Sequence, residues 1–513
     1  MNKSKSLPLM LLLFTIFLPC FFSDSVAKAG AGVNQTKYTF YSDNIKYEII
    51  KPASAKKAGQ VTVLGAKDKN IKTITIPKTV KNSSYTYTVQ KIADSAFNGY
   101  SQLTKISIPS TVTVLGNSVF SNCDKLKSIT LPNSVTSIGS GLFWSCDSLN
   151  DVKLSENLKQ IPDRTFYDCS SLKEINLPAK LKSIGYEAFY TCSNLTQITI
   201  PDTVISLGGS VFFACKELKK VHLPNALAEI GDSAFYGCSS LEDVNIPAKL
   251  SHIPATAFYE CKSLKSVTIP NGITYIGRFA FYGCESLDDL RIPGSVTYIG
   301  ANAFKSCTAL SRVCLSDKLK SLPECVFANC SSLKEVLLPD SLQYIGNGAF
   351  SNCRDLTELI IPDTVVSIGY NAFEECRSLE NITLSSSLSR ISSGTFSDCS
   401  SLKAINLPDK LAQIEDGAFE NCSSLSEVTF NNQLAGIGDR AFLNCTGLTS
   451  IELPDSLISL GTQAFKGCSG LSQVKMPQNI IAFGAEVFTE TAITPVTDNG
   501  LLILDGYLLN GTD

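Results

Sequence analysis

The sequence predicts a mainly β repeat solenoid, in which short extended segments stack on their copies in neighbouring repeats. Phenylalanine recurs every 23 residues from Phe97 to Phe488, without an insertion or a deletion. Between these positions, short apolar and polar alternations end at Pro or at Ile-Gly, a pattern typical of short strands. Such segments cannot bury an apolar face alone, so their copies must stack into one elongated rod or arc.

The composition is that of a folded chain with no general surface for polyanions. Apolar residues make up 44% of the 513 positions, and 44 Lys and Arg against 47 Asp and Glu leave a formal net charge of −3. This balance provides no electrostatic footprint for nucleic acid or for an anionic membrane. We therefore expect neither as a partner.

Residues 1–29 are predicted to be a secretory signal peptide. Two lysines precede an apolar run over 7–22, and small residues around Ala29 suit cleavage. Cys20 offers a lipoprotein anchor as the alternative, although a proline precedes it where a small residue is normally required. No later run approaches the ~20 apolar residues of a membrane span. The mature chain is expected to be secreted or to lie at the cell surface.

Residues 30–70 are predicted to be an N-terminal capping hairpin. Alternating segments at 38–41 and 47–50 flank a polar turn, which favours two antiparallel strands over the first repeat.

Each unit of the array at 71–493 predicts three elements. Leu-x-x-Ile-x-Leu-Pro, as at 126–132, predicts a short strand with its Ile and Leu pointing inward. Val-x-x-Ile-Gly, as at 135–139, predicts a second extended segment. Ala-Phe-x-x-Cys predicts one helical or 3₁₀ turn with Phe and Cys on one side. At ~4.8 Å per repeat, 17 or 18 units span about 80 Å.

Residues 494–513 are predicted to be a C-terminal cap or the start of a further region. Threonines replace the periodic Cys, Leu and Ile after Phe488. Apolar segments at 501–504 and 507–509 then flank Asp505-Gly506, the preferred pair for a type I′ hairpin turn.

The full unit, Leu-x-x-Ile-x-Leu-Pro-x-x-Val-x-x-Ile-Gly-x-x-Ala-Phe-x-x-Cys, resembles the 23-residue, treponemal-type leucine-rich repeat of the BspA-like surface proteins. The resemblance covers roughly residues 71–493. It implies a leucine-rich-repeat solenoid in an exported adhesin or surface antigen that binds host matrix proteins or neighbouring cells. It implies no catalysis and no cofactor. Because function in this family lies at variable surface positions, it transfers no binding residue to this chain.

The cysteines are predicted to be free core thiols. Sixteen of them, from Cys123 to Cys468, stand three residues after the periodic Phe. In-register copies lie ~4.8 Å apart with parallel Cβ directions, whereas a disulfide needs Cβ atoms about 3.8 Å apart and facing each other. A zinc site is not expected because no Cys-x-x-Cys pair occurs. Cys314 and Cys325 leave the register and form the one candidate bridge.

No catalytic constellation emerges, so the chain is not expected to be an enzyme or to bind a metal. His222 and His252 occupy different offsets in their repeats. Acidic pairs such as Glu242-Asp243 are typical of solvated surface. A catalytic acid and base need different pKa values, and no pocket is expected here that would make the two values differ. Glycines stand singly after Ile, so no phosphate-binding loop is present.

Positions that the repeat does not dictate indicate where a partner binds. The residue directly after the periodic Phe is aromatic in seven successive repeats. These residues form the aromatic stripe: Trp144, Tyr167, Tyr190, Phe213, Tyr236, Tyr259 and Tyr282. At ~4.8 Å per repeat the stripe extends about 29 Å, enough for a glycan or a protein ridge. Tyrosine and tryptophan anchor interfaces, and the same rings also stiffen a solenoid if they stack on one another.

A second candidate is an apolar patch on the predicted strands. The tenth residue after Phe is mostly polar but turns apolar in three consecutive repeats, at Cys314, Leu337 and Ile360. Arg291 precedes this patch, and acidic residues lie beside it. Such a patch can be a contact site for a partner. The alternative is that the apolar side chains are simply exposed or are covered by a loop of the chain itself.

Together these features predict an exported adhesion or interaction protein that binds an extracellular or host surface protein. One alternative is a carbohydrate-binding module that uses the aromatic stripe. Another is a passive surface element without a specific ligand.

Overall fold

Each repeat forms one turn of a β-solenoid of about 17 turns in the computed structural model. The structure describes residues 38–477 and 480–494, together with the backbone of 496–498, 501–504 and 507–508. The predicted signal peptide at 1–29 and the Asp505-Gly506 turn lie outside the described residues. The mainly β solenoid predicted from the sequence is confirmed.

The predicted Leu-x-x-Ile-x-Leu-Pro strands form the first ladder. Equivalent residues of successive repeats lie opposite each other in parallel register, as Val152 does with Ile129. The middle residue of each strand points inward, while its two neighbours are mostly exposed. The strands of the first ladder are Thr73–Thr75, Lys105–Ser107, Ser128–Thr130, Asp151–Lys153, Gln197–Thr199, Lys220–His222, Asp243–Val244, Asp289–Arg291, Arg312–Cys314, Glu335–Leu337, Glu358–Ile360, Asn381–Thr383, Ala404–Asn406, Glu427–Thr429, Ser450–Glu452 and Gln473–Lys475.

The Val-x-x-Ile-Gly segments form the second ladder, also parallel and in register. The strands of the second ladder are Val114–Leu115, Ser137–Ile138, Gln160–Ile161, Ser183–Ile184, Ser206–Leu207, Glu229–Ile230, His252–Ile253, Tyr275–Ile276, Tyr298–Ile299, Ser321–Leu322, Tyr344–Ile345, Ser367–Ile368, Arg390–Ile391, Gln413–Ile414, Gly436–Ile437, Ser459–Leu460 and Ala482–Phe483.

The backbone N–H directly after the Ile joins successive repeats of the second ladder, and proline at that place interrupts the pairing. Gly300 donates its N–H to the Ile276 oxygen at 2.8 Å, and a Cβ on Gly300 would lie 2.4 Å from the Arg278 nitrogen. Proline has no N–H to donate. Accordingly, the pairing of the second ladder stops before the strands that precede Pro162, Pro254 and Pro323. It also stops before Arg390–Ile391, where Ser392 follows and its hydroxyl donates to the Ile368 oxygen at 2.6 Å.

The Ala-Phe-x-x-Cys segment forms a hydrogen-bonded turn, in which Cys146 donates its N–H to the Phe143 oxygen at 3.2 Å, but the described residues contain no helix. Residues two before and two after each periodic Phe have positive φ, as Ser118 (53°) and Asn122 (57°) do around Phe120. A left-handed residue cannot propagate a right-handed helix. The freed N–H groups reach the next repeat instead: Phe120 donates to the Leu142 oxygen at 2.9 Å. These bonds form a third ladder along the solenoid.

The core is a continuous column of phenylalanine rings. Every periodic Phe from Phe97 to Phe488 is buried. Neighbouring ring centroids lie 5.0–5.9 Å apart, with planes within 21° of parallel. Stacked aromatic pairs stabilise beyond their buried area, so the column joins each repeat to the next.

The periodic cysteines are free and buried, as predicted. They also hydrogen-bond, which sequence reasoning missed. Each of the sixteen thiols donates to the carbonyl oxygen of the Phe in the preceding repeat, as Cys284 does to Phe258 at 3.3 Å and Cys146 to Phe120 at 3.0 Å. Burial raises the pKa of the Cys330 and Cys376 thiols to about 12. Cys314 and Cys325 are half-buried and not bonded to each other, since one lies on the first ladder and the other beside a turn.

The N-terminal strands continue the second ladder. They are Thr39–Ser42, Ile45–Lys51, Gly59–Ala66, Thr79–Asn82 and Tyr85–Ile92. The first two pair as an antiparallel hairpin, and the last pairs in parallel with Val114–Leu115. Tyr100 replaces the periodic Cys in the first repeat, and its hydroxyl donates to the Ala66 oxygen at 2.8 Å and accepts from the Ala66 N–H at 3.0 Å. At the other end, Val496–Asp498, Leu501–Leu504 and Tyr507–Leu508 pair antiparallel.

Replacing Phe281 by Ala is expected to destabilise the solenoid by about 3–5 kcal/mol, the usual cost of truncating a buried Phe. Its ring lies 5.2 Å from that of Phe258 and 5.3 Å from that of Phe304, so both interfaces are lost and melting begins in the middle repeats. Chemical denaturation measures this loss. Phe213→Ala, at a half-buried position, is the control with a smaller expected loss. An unchanged midpoint in the Phe281 variant would contradict an interior role.

Thiol counting checks the cysteine assignment. Native protein at pH 8 is expected to react with a disulfide reagent only at Cys314 and Cys325, because the other described thiols are buried and closed to the reagent. The denatured protein, without reductant, is expected to show at least sixteen free thiols. Fewer than four would mean that the ladder cysteines are oxidised.

Candidate interaction surface

The structure brings all seven residues of the aromatic stripe into one stack. Adjacent ring centroids lie 4.4–4.9 Å apart, closer than in the core column. The planes are within 8° of parallel, except for the Trp144–Tyr167 pair at 40°. All seven side chains are half-buried. The stripe is therefore a rigid surface feature.

Stacking decides which part of each ring a partner can reach. Each inner ring lies between two others, so its faces are covered and its edge is left to solvent. The edges of Tyr167, Tyr190, Tyr236, Tyr259 and Tyr282 carry phenol oxygens. The stripe thus presents a row of ring edges and hydroxyl groups.

An arginine covers the first end of the stripe. The Arg164 guanidinium lies 5.6 Å from the Trp144 ring centroid and 5.5 Å from that of Tyr186, within the range of cation–π attraction. Its Nε donates to Glu187 Oε2 at 2.7 Å. This ion pair holds the guanidinium in place over the two rings.

A strained aromatic residue covers the other end. Phe279 has a φ of 55°, a conformation that bulky side chains rarely adopt. Its ring lies 5.9 Å from that of Tyr282 and 6.4 Å from that of Tyr259, and Arg278 lies 5.6 Å from it. Because the residue two before the periodic Phe has positive φ in every repeat, the aromatic side chain of Phe279, and not its backbone, distinguishes this end of the stripe.

Three phenols of the stripe, those of Tyr190, Tyr236 and Tyr259, have raised pKa values. Burial raises the pKa of Tyr259 to about 12, with a further contribution from the neighbouring Tyr236 and Tyr282. Burial also raises the pKa of Tyr190 and Tyr236. These hydroxyl groups therefore remain able to donate hydrogen bonds.

The apolar patch lies on the first ladder and shares no repeat with the stripe. Leu337 is 71% and Ile360 73% exposed, whereas Cys314 is half-buried. Cys314 lies opposite Leu337 in the parallel register. Beside them, Arg312 donates to Glu335 at 3.0 Å. The patch is a pair of exposed aliphatic side chains with a charged border.

Sequence reasoning missed a second aromatic row on the second ladder. It comprises His252, Tyr275, Tyr298 and Tyr344, all exposed. Tyr275 and Tyr298 stack at 5.2 Å, with planes 8° apart. The sequence does show this row, because its members all stand directly before the periodic Ile of the second ladder. Ser321 occupies the same position between Tyr298 and Tyr344 and interrupts the series. The two histidines lie on different ladders, His222 at the end of Lys220–His222 and His252 at the start of His252–Ile253.

Within residues 38–477 and 480–494, no group of three or more His, Cys, Asp or Glu side chains is placed to hold a metal ion. The described part of the chain also has no helix whose length and apolar character suit a membrane crossing.

A family model described as "BspA type Leucine rich repeat region" matches overlapping segments at 66–196, 182–311, 251–376, 297–422 and 389–503. No curated protein gives a significant match to the chain.

Solved structures of bacterial repeat proteins are similar to this chain. A leucine-rich repeat protein from Bacteroides ovatus is 31% identical, with a TM-score of 0.60 over 77% of this chain and all of that one. A leucine-rich cell surface protein from Faecalibacterium prausnitzii is 24% identical, with a TM-score of 0.35 over 86% of this chain and 96% of that one.

Spectroscopic titration tests the environment of the stripe. Tyr259 is expected to ionise near pH 12, because ionisation would bury a phenolate between two rings. A raised pKa in the folded state favours folding below the unfolded value of about 10, and this contribution is lost as the pH rises towards 12. Phenolate absorbance of the wild type minus that of Tyr259→Phe isolates this group. A midpoint near 10 would contradict the stacked environment.

Proposed function

The chain belongs to the BspA-type leucine-rich repeat family, and we propose that it is an exported protein that adheres to a host matrix or to neighbouring cells by binding a protein ligand. Members of this family are surface proteins, and protein–protein interaction is the general role that membership supports. The apolar run and small residues at 7–29 support export. Adhesion through one face of the solenoid follows from the surface described above.

The stacked aromatic stripe is the observation that carries this proposal. Seven half-buried rings held at 4.4–4.9 Å lose little conformational entropy when a partner arrives. Trp and Tyr are enriched among residues that dominate binding energies. Arg164 at one end and Phe279 at the other add a fixed cation and an apolar aromatic side chain. This is the composition of a protein-binding ridge.

A glycan on the stripe is the weaker alternative. The apolar face of a sugar packs on the face of an aromatic ring, and in the stripe those faces are occupied by neighbouring rings. Ring edges with hydroxyl groups suit the mixed polar and apolar side chains of a protein surface. The stacking geometry therefore favours a protein ligand.

The apolar patch at Cys314, Leu337 and Ile360 is a second contact in this proposal. Leu337 and Ile360 expose most of their surface, so covering them removes apolar area from water. Two aliphatic side chains offer less area than seven rings, so the stripe is expected to contribute more to affinity.

A triple variant with Tyr190, Tyr236 and Tyr282 replaced by Ser tests the role of the stripe. Binding to an array of extracellular matrix proteins and to cultured epithelial cells is expected to fall at least tenfold, which corresponds to about 1.4 kcal/mol. The matched control replaces Leu337 and Ile360 by Ser and is expected to lose less. Circular dichroism verifies that both variants fold.

Unchanged binding in a folded triple variant would leave the rings as a structural stack only. In that case a loss of binding in the Leu337 and Ile360 control would assign recognition to the first ladder.

A further inference from the structure

The N-terminal cap, residues 38–92, carries a positive charge that the balanced composition of the whole chain conceals. It contains ten lysines and three acidic residues, whereas residues 401–494 contain five basic and ten acidic residues. All ten lysines except Lys46 are exposed. Within the described residues none of the ten forms an ion pair, whereas Lys265 of the solenoid pairs with Glu242 at 3.0 Å. The cap therefore presents unpaired cations.

Four strands of the cap form a sheet with a polar outer face. In spatial order they are Ile45–Lys51, Gly59–Ala66, Tyr85–Ile92 and Thr79–Asn82. The register aligns Lys51 with Gln60, Gln60 with Thr88, and Thr88 with Thr79. Paired residues share one face of a sheet, and at ~4.8 Å per strand this row spans about 14 Å. Amide and hydroxyl groups thus form the floor of the face.

Lysines border this floor at one end of the sheet. Lys81 lies opposite Thr86, which follows Thr88 on the same face. Next to them, residues 54–57 form a tight turn, in which Ser54 donates its N–H to the Lys57 oxygen at 2.9 Å. This turn and residues 84–86 enclose a groove of about 470 Å³ that Lys56 and Lys57 line. The lysine rim comprises Lys51, Lys56, Lys57 and Lys81.

The turn is held against the sheet by close backbone contact. A Cβ on Gly59 would lie 2.5 Å from both the Lys51 oxygen and the Tyr87 ring, so a larger residue would push the turn away. The rim is therefore fixed beside the floor before a ligand binds.

Acidic residues lie away from the rim. Segments 49–67 and 69–93 contain no Asp or Glu. Asp43 and Asp68 stand at the opposite end of the sheet, where Ile45 pairs with Ala66. Glu48 is the acidic residue on the outer face, and it lies opposite Thr62, further from the turn than the row at Lys51. Positive charge thus dominates the end that carries the rim.

We propose that the outer face of the cap binds a linear acidic polysaccharide. Its carboxylate or sulfate groups pair with the lysine rim through charge-assisted hydrogen bonds. Its hydroxyl groups bond to Gln60, Thr86 and Thr88, whose side chains have no hydrogen bond within the described residues. The face lies outside the aromatic stripe and goes beyond the proposed binding of a protein.

A polysaccharide fits this face better than a bilayer or a folded protein. Proteins that lie at a membrane interface bury an apolar face among the headgroups, whereas the floor here consists of hydroxyl and amide groups. The surface of a folded protein carries both signs of charge, and its cations would meet the lysine rim. An acidic polysaccharide offers repeated negative charge together with many hydroxyl groups, which match the rim and the floor.

Binding of chondroitin sulfate to the full chain, measured by calorimetry, tests the proposal. We expect binding that weakens as salt screens the charges, and none by the desulfated methyl ester, which has the same backbone without charge. Affinity is expected to fall about tenfold or more in Lys56→Gln/Lys57→Gln and in Lys51→Gln/Lys81→Gln. The matched control, Lys67→Gln/Lys69→Gln, removes the same charge at the opposite end of the sheet and is expected to stay within about threefold of wild type.

Threonine variants separate a sugar from polyanions in general. Thr86→Val/Thr88→Val keeps shape and charge but removes two hydroxyl groups from the floor. It is expected to bind chondroitin sulfate about fivefold more weakly, while its binding of polyglutamate, an anionic polymer without sugar hydroxyls, stays as in wild type. Circular dichroism verifies that each variant folds.

Three results would overturn the proposal: no binding of chondroitin sulfate by the wild type, an equal loss in the Lys67 and Lys69 control, or unchanged affinity in the threonine variant. Vesicles containing phosphatidylserine are the membrane probe. Rim-dependent binding to them without binding of chondroitin sulfate would assign the face to a membrane instead. The protein ligand of the aromatic stripe is assayed separately, so either proposal can fail alone.

Discussion

Parallel, in-register stacking of identical 23-residue turns is the constraint on which the rest of the structure depends. It places every residue beside its own copy in the next repeat, at the ~4.8 Å spacing of paired strands. Each core side chain therefore packs against the side chain at the same position of the neighbouring repeat. Phenylalanine does so by offset stacking, which explains why one residue type recurs from Phe97 to Phe488 without exception.

The same constraint explains the cysteines. The position three residues after the periodic Phe lies in the core and holds a small side chain. The carbonyl group of the Phe in the preceding repeat lies next to it. The thiol fills this space and donates a hydrogen bond, as Cys261 does to the Phe235 oxygen at 3.2 Å. Oxidation to disulfides would need paired Cβ atoms turned towards each other, whereas the ladder holds them parallel. Burial further reduces the reactivity of these thiols.

On the surface, stacking converts single substitutions into rows. Aromatic residues at the same offset in successive repeats form a closed stack, as in the aromatic stripe. The faces of the inner rings are then covered by neighbouring rings and are not accessible to a partner. In the second aromatic row, Tyr275 and Tyr298 stack at 5.2 Å, and serine replaces the aromatic residue at position 321.

Much of this protein could be predicted from the sequence alone, because strict periodicity reports directly on stacking. The period, the inward Phe and Cys, the two strands per repeat and the repeat family all followed from residues at constant offsets. The left-handed backbone of the turn could not be predicted, since serine and asparagine at positions 118 and 122 do not require a positive φ. Hydrogen bonds to the next repeat favour this backbone over a helix. The aromatic stripe was found as a set of residues, but its closed faces and the Arg164 and Phe279 ends are relations between neighbouring repeats. Tertiary structure decided these because they depend on the distance and orientation of side chains 23 residues apart.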